Sequence, residues 1–309
     1  MSESISVFAP ATVANVTCGF DILGFAVEAP GDEITLTKSN SGQVRILEIT
    51  GDEGALPRDP DKNSCSAVIK MYLRDLGITQ GIDIVLHKKM PLGSGLGSSA
   101  ASAVAAIFGV NELLGKPLTL QQLLPYAMEG ERVACGSAHA DNVAPGLYGG
   151  FVLIRSYDPL DVIKLNTPRD LHATLVHPHI EVRTKDAREI LRKQIYFKDS
   201  VKQSGNVAGL VAGLLTSDYD LISRSMHDYI VEPVRSILIP GYSDVKESAM
   251  NIGALGAGIS GSGPSIFALS KQRKTAEEIG ESMKNIYTKF KIDCEIYISE
   301  INQLGPKIL

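Results

Sequence analysis

The glycine-rich stretch at residues 90–102 constrains the fold of this chain more than any other feature. It places Gly93, Gly95 and Gly97 at every second position, directly before an alanine-rich run that ends near Leu114. Alanine favours helix, and glycine permits the positive φ angles that let several backbone N–H groups converge on an anion. The first N–H groups of a helix have no intrahelical partner, so they add to such a site. The stretch therefore predicts a loop that joins a strand to a helix and binds phosphate.

Two interpretations of this loop remain open from its own residues. A glycine–serine turn before a buried alanine-rich helix needs no ligand. The loop lacks the Gly-Lys-Ser/Thr ending of a Walker A motif, and its glycines do not have the Rossmann spacing. Lys88 and Lys89 precede it, either as a cation for phosphate or as a solvated pair at the end of a strand. The other polar clusters of the chain have to decide between a ligand site and a structural turn.

Composition excludes several classes of protein. The chain has 309 residues, enough for two lobes, and a formal net charge of −5 without a lysine- or arginine-rich run, which argues against general nucleic-acid binding. It has no apolar run of about eighteen residues and no signal-peptide pattern, so we expect a cytoplasmic protein that does not enter a membrane. The four cysteines show no Cys-x-x-Cys pairing, so neither a zinc site nor a disulfide framework is expected.

Residue patterns along the chain predict strands and helices that mix without strict alternation, which is typical of the α+β class. A polar segment with two prolines at residues 158–169 predicts a boundary between domains at residues 1–160 and 161–309. β-branched runs predict strands at 5–9, 33–38, 44–49, 82–87, 149–155, 173–176 and 292–299. Periodicity and caps predict helices from Asn63 to Leu76, Thr119 to Ala134 and Thr275 to Phe290, and over 184–193, 200–216 and 218–227, with capping boxes at Thr119 and Thr275.

Two further clusters hold residues that small ligands require. Residues 15–21 place Asn15 and Asp21 among small and apolar neighbours just after the first strand. These side chains either point at a ligand or cap a turn. A second glycine-rich stretch at residues 253–264 predicts close approach of backbones, either to the first glycine loop or to a ligand.

A third cluster combines a carboxylate near a helix end with a polar loop. Glu131 falls near the end of the helix that begins at Thr119, and a glycine-flanked loop follows it. This set could hold a hard cation and handle a proton, or it could form an exposed loop with its own Asx turns. The loop carries His139, Asp141 and Asn142.

Taken together, these motifs resemble those of the GHMP kinases, the small-molecule kinases named for galactose, homoserine, mevalonate and phosphomevalonate. Residues 91–101 are similar to the central motif of the family, residues 15–21 to its first motif and residues 256–264 to its third, in the same order along the chain. The resemblance implies a two-lobed fold, with an N-terminal ribosomal-protein-S5-like βαβ domain that binds ATP and a C-terminal ferredoxin-like domain. It also implies an active site in the cleft between the lobes, and a homodimer.

Within the family, the pattern is most similar to the branch that acts on homoserine. Segments 9–21, 139–145 and 232–241 carry this similarity, together with Thr184 and Arg188. The similarity implies ATP-dependent phosphorylation of the side-chain hydroxyl of L-homoserine to O-phospho-L-homoserine, a step of threonine biosynthesis. The alternatives are another small-molecule kinase of the family, of the shikimate or mevalonate type, and a catalytically silent ligand-binding regulator with the same fold.

The resemblance also implies which residues hold ATP and its Mg²⁺. Ser99 and Glu131 would be the protein ligands of the metal ion, with phosphate and water as the others. A small cation that keeps several waters suits such a sparse set. The residues implied at the nucleotide are Pro91, Gly93, Ser94, Gly95, Leu96, Gly97, Ser98, Ser99, Ala100, Ala101 and Gly261.

The acceptor site implied by the resemblance must satisfy an ammonium, a carboxylate and a hydroxyl. Guanidinium groups suit the planar carboxylate. Asp141 would orient the hydroxyl or accept its proton, and together with Ser99 and Glu131 it makes up the expected catalytic set. The residues implied around homoserine are Asn15 and Asp21 at the ammonium, Arg188 and Arg235 at the carboxylate, and His139, Asp141 and Asn142 at the hydroxyl.

Overall fold

The computed structural model describes residues 3–309. These residues contain eleven strands and ten α-helices. The strands are β1 Ser4–Ala14, β2 Leu23–Ser39, β3 Val44–Thr50, β4 Gly81–His87, β5 Phe151–Tyr157, β6 Leu160–Leu165, β7 His172–Pro178, β8 Gly256–Ile259, β9 Ile266–Ser270, β10 Cys294–Glu300 and β11 Lys307–Ile308. The helices are α1 Ser64–Asp75, α2 Ser98–Leu113, α3 Leu120–Cys135, α4 Ala140–Tyr148, α5 Thr184–Glu189, α6 Phe197–Thr216, α7 Tyr219–Ser225, α8 Glu232–Arg235, α9 Tyr242–Ile252 and α10 Arg273–Lys289.

The strands form two sheets. The first has seven strands in the order β11-β1-β2-β4-β3, with β5 paired to β2 and β6 paired to β5. Its pairs are antiparallel except β3 with β4. The second has four antiparallel strands in the order β10-β7-β9-β8. This arrangement confirms the α+β class.

Helix α2 is the centre of the first core. It packs on β1 and β2, and α1 and α3 pack against it in turn. Almost every side chain from Ser98 to Leu113 is buried, because the small alanine residues allow close approach on all sides of the helix. At the second sheet, α9 and α10 cover a separate core. None of the helices in residues 3–309 combines the length and the apolar character that a membrane span requires.

Local sequence signals predict several element ends correctly. The Asn63 side chain caps α1 by accepting a hydrogen bond from the Cys65 amide at 3.1 Å. The capping box at Thr119 is confirmed, since Thr119 and Gln122 each accept a hydrogen bond from the backbone amide of the other. These caps depend only on neighbouring residues, which is why the sequence reveals them.

Two local predictions were wrong. Helix α10 begins at Arg273, ahead of the capping box predicted at Thr275, because the i,i+4 pair of Arg273 with Glu277 extends the helix toward its start. Residues 140–148 form helix α4 where a loop was expected, since an apolar face of α4 packs on the first sheet. The second glycine-rich stretch makes the close backbone approach predicted for it, and its residues 256–259 form strand β8 beside β9.

Strands from both sides of residue 160 belong to the first sheet. Strand β6, at Leu160–Leu165, pairs with β5, and β11 at the end of the chain pairs with β1. The second sheet is built from strands that all follow residue 171. The division into domains at residues 1–160 and 161–309 stays a prediction about folding units.

Candidate active site

A cleft of about 460 Å³ collects most of the residues singled out in the sequence. One wall comes from residues of β1, α2, α3 and α4, and the other from segments 184–188, 235 and 261–262. Four predicted residues do not line the cleft, namely Pro91, Leu96, Ala100 and Ala101. The side chains of the last three are buried in the core, where they support the loop. The predicted residues that do line it are Asn15, Asp21, Gly93, Ser94, Gly95, Gly97, Ser98, Ser99, Glu131, His139, Asp141, Asn142, Arg188, Arg235 and Gly261.

The first glycine loop, residues 91–97, has the backbone geometry that its sequence predicts. Gly93, Gly95 and Gly97 have φ angles of 66°, 79° and 70°. A Cβ at Gly95 would lie 2.5 Å from the Ser260 carbonyl oxygen, so a larger residue is excluded there. Gly97 is the N-cap of α2, and no side chain caps that turn, so its amide groups are available to an anion from the cleft.

The second glycine loop, residues 260–265, packs directly against the first. The Ser260 hydroxyl donates to the Gly95 carbonyl at 2.7 Å, and the Ser265 amide donates to the Ser94 carbonyl at 3.1 Å. The Asn15 amide group donates to the Gly261 carbonyl at 2.8 Å. The small residues of both loops therefore serve packing, and the same packing brings Gly261 to the edge of the cleft.

Charged side chains from distant segments meet at the other end of the cleft. Arg188 of α5 donates two hydrogen bonds to the Asp21 carboxylate, at 3.0 and 3.1 Å. Arg235 of α8 is buried and donates to the carbonyls of Ala187 and Gly261 at 2.8 and 3.1 Å. The desolvation of Arg235 by burial, together with the nearby Arg188 charge, lowers its pKa to about 10. Asp21 is thus already paired in the cleft, which the sequence did not indicate.

Asp141 is a buried carboxyl group in the first turn of α4. It is 4% exposed, and this burial, reinforced by the carboxylates of Asp21 and Glu131, raises its pKa to about 7. A carboxyl group with a pKa near neutrality is suited to accept a proton. The Nε2 atom of His139, the N-cap residue of α4, is buried without a hydrogen-bond partner, and burial lowers the pKa of its imidazole. His139 is therefore a neutral side chain in this environment.

Ser99 and Glu131 form the donor set proposed for a metal ion. The Ser99 hydroxyl donates to Glu131 Oε1 at 2.6 Å. Glu131 is buried, and its desolvation raises the pKa of the carboxyl group, although the Ser99 bond and the Lys88 charge oppose this rise. A buried carboxylate beside a hydroxyl suits a hard cation. No cluster of three or more His, Cys, Asp or Glu residues within 3–309 could hold a metal by itself, so such an ion would need ligands from phosphate and water.

Sequence reasoning missed two residues at the end of the cleft that carries Asp21, Arg188 and Arg235, which we call the acceptor end. The Tyr157 hydroxyl donates to the Asp21 carbonyl at 2.8 Å and accepts from the Ala140 amide at 3.3 Å. The Phe20 ring contacts two guanidinium groups, with its centre 5.4 Å from that of Arg188 and 4.9 Å from that of Arg235. A single tyrosine in β5 carries no local signal of such a contact.

The two lysines before the glycine loop have different environments. The Lys89 ammonium forms an ion pair with Glu33 at the surface, as expected of a solvated lysine. Lys88 is buried and forms an ion pair with Asp32 of β2. Nothing in the sequence pattern points to Asp32, which lies 56 positions before Lys88 along the chain.

The fold, the two glycine loops and the cleft define a small-molecule kinase of the GHMP class. The family model for the GHMP kinases N terminal domain matches residues 63–150, and the model for the GHMP kinases C terminal domain matches residues 210–289. Kinases of this class use ATP as the phosphoryl donor.

Relatives and solved structures place the chain more narrowly. It is 51% identical to a homoserine kinase from Chlorobium phaeobacteroides (strain BS1), over 99% of this chain and 100% of the relative. It is similar to a crystal structure of homoserine kinase from Cytophaga hutchinsonii, with 62% identity and a TM-score of 0.98 over 100% of this chain and 98% of the other. A mevalonate kinase structure from Methanococcus jannaschii, 15% identical with a TM-score of 0.69 over 96% and 98% of the two chains, shares the fold alone. The chain belongs to the homoserine kinase family within the GHMP kinases.

Proposed function

We propose that this protein transfers the γ-phosphoryl group of ATP to the side-chain hydroxyl of L-homoserine and releases O-phospho-L-homoserine and ADP. The observation that carries this proposal is the meeting of Asp21, Arg188 and Arg235 in the same cleft as an uncapped, glycine-rich helix N-terminus. The first group of residues suits a zwitterionic amino acid, and the second suits phosphate. The similarity to homoserine kinases over nearly the full chain supports the same acceptor.

Recognition of the acceptor rests on charge at both of its ends. The carboxylate of homoserine would take the guanidinium groups of Arg188 and Arg235, and its ammonium would take Asp21, which Asn15 supports by accepting the Asp21 amide at 3.0 Å. A sugar carries neither charge, so it cannot form charge-assisted hydrogen bonds of this kind with Asp21, Arg188 and Arg235. The arrangement therefore favours an amino acid over a carbohydrate.

The hydroxyl end of the acceptor would lie beside α4. The hydroxyl oxygen forms a bond to the γ-phosphorus as the bond to the leaving ADP oxygen breaks, and the hydroxyl proton passes to the Asp141 carboxylate. The pKa of Asp141 near 7 makes it a suitable acceptor for that proton. Neutral His139 and Asn142, whose Oδ1 accepts the Thr12 hydroxyl at 2.9 Å, would hold the hydroxyl in line.

The phosphate end would use backbone groups and one metal ion. The amides of the first glycine loop and of the first turn of α2 would bind the phosphate oxygens. Ser99 and Glu131 would hold the Mg²⁺ that accompanies ATP. Such an ion neutralises the charge that develops on the phosphates during transfer.

A panel of alcohols tests the function directly. The purified protein is incubated with ATP, Mg²⁺ and homoserine, mevalonate, shikimate, galactose or threonine, and ADP release is followed together with the mass of the product. We expect phosphorylated product with homoserine at a kcat/KM at least a hundredfold above any other alcohol. Faster phosphorylation of mevalonate or shikimate would contradict the proposal, and nucleotide binding without transfer to any alcohol would favour a silent regulator.

The cellular setting and assembly are further parts of the proposal. We infer a homodimer that acts in the cytoplasm as part of threonine biosynthesis, on small molecules alone. All four cysteines lie within residues 3–309 as free thiols, which suits a reducing compartment. Sedimentation of the purified protein tests the dimer, and a monomer at micromolar concentration would contradict it.

A further inference from the structure

One buried carboxylate, that of Asp32, contacts both ends of the first glycine loop. Its Oδ1 atom accepts the backbone amides of Lys89 and Met90, just before the loop, at 2.8 and 3.2 Å. Its Oδ2 atom accepts the Ser98 hydroxyl, just after the loop, at 2.9 Å. Asp32 lies in β2, inside the first sheet, and is fully buried. A single rigid side chain therefore fixes where the loop leaves β4 and where it enters α2.

The Lys88 ammonium completes this arrangement. It forms an ion pair with Asp32 and donates to the Ser98 carbonyl at 2.8 Å and the Ser102 hydroxyl at 2.7 Å. The side chains of Lys88 and Asp32 are 1% and 0% exposed, so water does not screen their charges, and each depends on the other and on these polar groups. We call Asp32, Lys88, Ser98 and Ser102 the loop clamp.

A clamp at these points matters because the loop itself has few constraints. Its glycines have the largest conformational freedom of any residue type, and binding phosphate requires several of its amides to converge. Any freedom that remains in the unliganded loop has to be lost when the nucleotide binds, which weakens affinity. A displacement of about 1 Å in the bound phosphate is enough to lower the transfer rate by about a hundredfold.

We propose that Asp32 and Lys88 are positioning residues for phosphoryl transfer, which hold the first glycine loop and the start of α2 in the conformation that binds the phosphates. Neither side chain is required to touch the nucleotide. The claim about nucleotide binding stands on the loop geometry, and only the claim about transfer rests on the proposed function. A buried ion pair of this kind can instead serve stability alone, so the test has to separate nucleotide affinity from folding.

Two variants weaken the clamp to different extents. Asp32→Asn keeps the size of the side chain but removes its charge and leaves the Lys88 ammonium buried without a counter-ion. Ser98→Ala removes one hydroxyl and keeps the ion pair, so it should fold even where Asp32→Asn does not. The matched control is Tyr72→Phe, which removes a buried hydrogen bond of 2.8 Å to Asn111 near the opposite end of α2. Thermal unfolding of all three variants measures their stability.

The decisive measurement is calorimetric titration with ADP and Mg²⁺, accompanied by hydrogen exchange of the loop amides. We expect the Kd for ADP to rise at least tenfold in Asp32→Asn and about three- to tenfold in Ser98→Ala, as the loss of one hydrogen bond implies. The amides of residues 91–98 should exchange faster in both variants. In steady-state assays the KM for ATP should rise by similar factors, with the KM for homoserine within twofold of the wild-type value.

Several outcomes would overturn the proposal. A Kd for ADP within twofold of wild type in Ser98→Ala, and in Asp32→Asn if that variant folds, would show that the clamp does not position the loop. An equal rise in Tyr72→Phe at the same loss of thermal stability would show that the effect is one of folding. A wild-type protein that binds ADP but does not phosphorylate homoserine would contradict the proposed function, while the ADP titrations would still decide on the clamp.

Discussion

The two ends of the cleft are built in different ways. The backbone amides of the end proposed for phosphate come from one continuous segment, residues 88–102, which Asp32, the second glycine loop and Glu131 of α3 contact from distant parts of the chain. The acceptor end is assembled from the Asp21 loop, α4, Arg188 of α5 and Arg235 of α8, which lie far apart along the chain. The first end presents backbone amides, and the second presents charged side chains.

This difference indicates how a common fold serves different acceptors. Phosphate is the same ligand in every kinase of the class, and backbone amides on a helix N-terminus bind it whatever side chains surround them. The acceptor is distinguished by charges placed in space, which separate segments can supply without disturbing the loop. Substitutions at the acceptor end should therefore change homoserine kinetics and leave the KM for ATP nearly constant.

The largest expected effect is that of Asp141→Asn. The variant keeps the shape of the side chain but removes the proton acceptor, so kcat should fall at least a hundredfold, as is typical for loss of general base catalysis. The KM for homoserine should change less than threefold. Steady-state kinetics with circular dichroism as the check on folding decide the matter, and an unchanged kcat in a folded variant would remove Asp141 from the catalytic set.

Arg235→Leu should have the next largest effect, on binding of the acceptor. Loss of a charge-assisted hydrogen bond, worth roughly 1.5–3 kcal/mol, corresponds to a rise of about ten- to hundredfold in the KM for homoserine. The KM for ATP should stay within twofold. Arg183→Leu, at an exposed arginine that pairs with Glu181 on the surface, is the matched control. An equal loss of ATP affinity in Arg235→Leu would break the separation between the two ends.

The pH dependence of the reaction should reflect Asp141. Because burial raises its pKa to about 7, the carboxylate form required to accept a proton is lost as the pH falls through 7. The kcat/KM for homoserine should therefore fall about tenfold for each pH unit below 7 and be nearly constant above it. Rate profiles from pH 5.5 to 8.5 test this, and a flat profile in the wild-type protein would argue against a titrating base.

The same pKa shift predicts an effect of Asp141→Asn on stability, with the sign set by linkage. A carboxyl group whose pKa is higher in the folded state opposes folding once it ionises, so its cost grows as the pH rises from about 4 to 7. The variant should be more stable than the wild type at pH 8 and nearly equal to it at pH 4. Thermal unfolding of both proteins at pH 4 and pH 8 measures the difference in stability between variant and wild type. A larger gain in stability at pH 4 than at pH 8 would contradict a raised pKa at Asp141.

Tyr157→Phe should have the smallest effect. It removes the hydroxyl that joins the Asp21 carbonyl to the Ala140 amide, and with it one hydrogen bond at each of two segments proposed to bind homoserine. The KM for homoserine should rise about two- to fivefold, in proportion to the small net value of such bonds. Tyr219→Phe, whose hydroxyl contacts Asp170 outside the cleft, serves as the control. A matching rise in the control would assign the effect to general stability.

Much of the phosphate end could be predicted from the sequence because its geometry depends on neighbours along the chain. Three glycines before an alanine-rich run gave a loop with three positive φ angles at the start of a buried helix. The capping box at Thr119 was predicted for the same reason. The resemblance of these motifs to the GHMP kinases then supplied the family, which the comparisons confirm. The individual roles of the site residues stay predictions.

The acceptor end could be predicted only as a set of residue types. The loop expected at residues 136–146 is helix α4 from Ala140 onward, because the apolar face that packs on the first sheet is decided by tertiary contact. An acceptor without an ammonium, such as mevalonate, would leave the Asp21 carboxylate without a counter-ion if no side chain paired with it. In the folded chain Arg188 already pairs with it, so exclusion of mevalonate cannot rest on an unpaired Asp21.

The sequence by itself determined the loop and its helix, since backbone conformation follows from residues a few positions apart, and its motifs indicated the family. Only the tertiary structure decided that Asp32 joins Lys88, and that Asp21 meets an arginine 167 positions away. No local preference encodes such a pair. Such pairs form because the packing of the sheets and helices brings distant charged groups together, for Asp32 and Lys88 in a buried place where each requires the other as a partner.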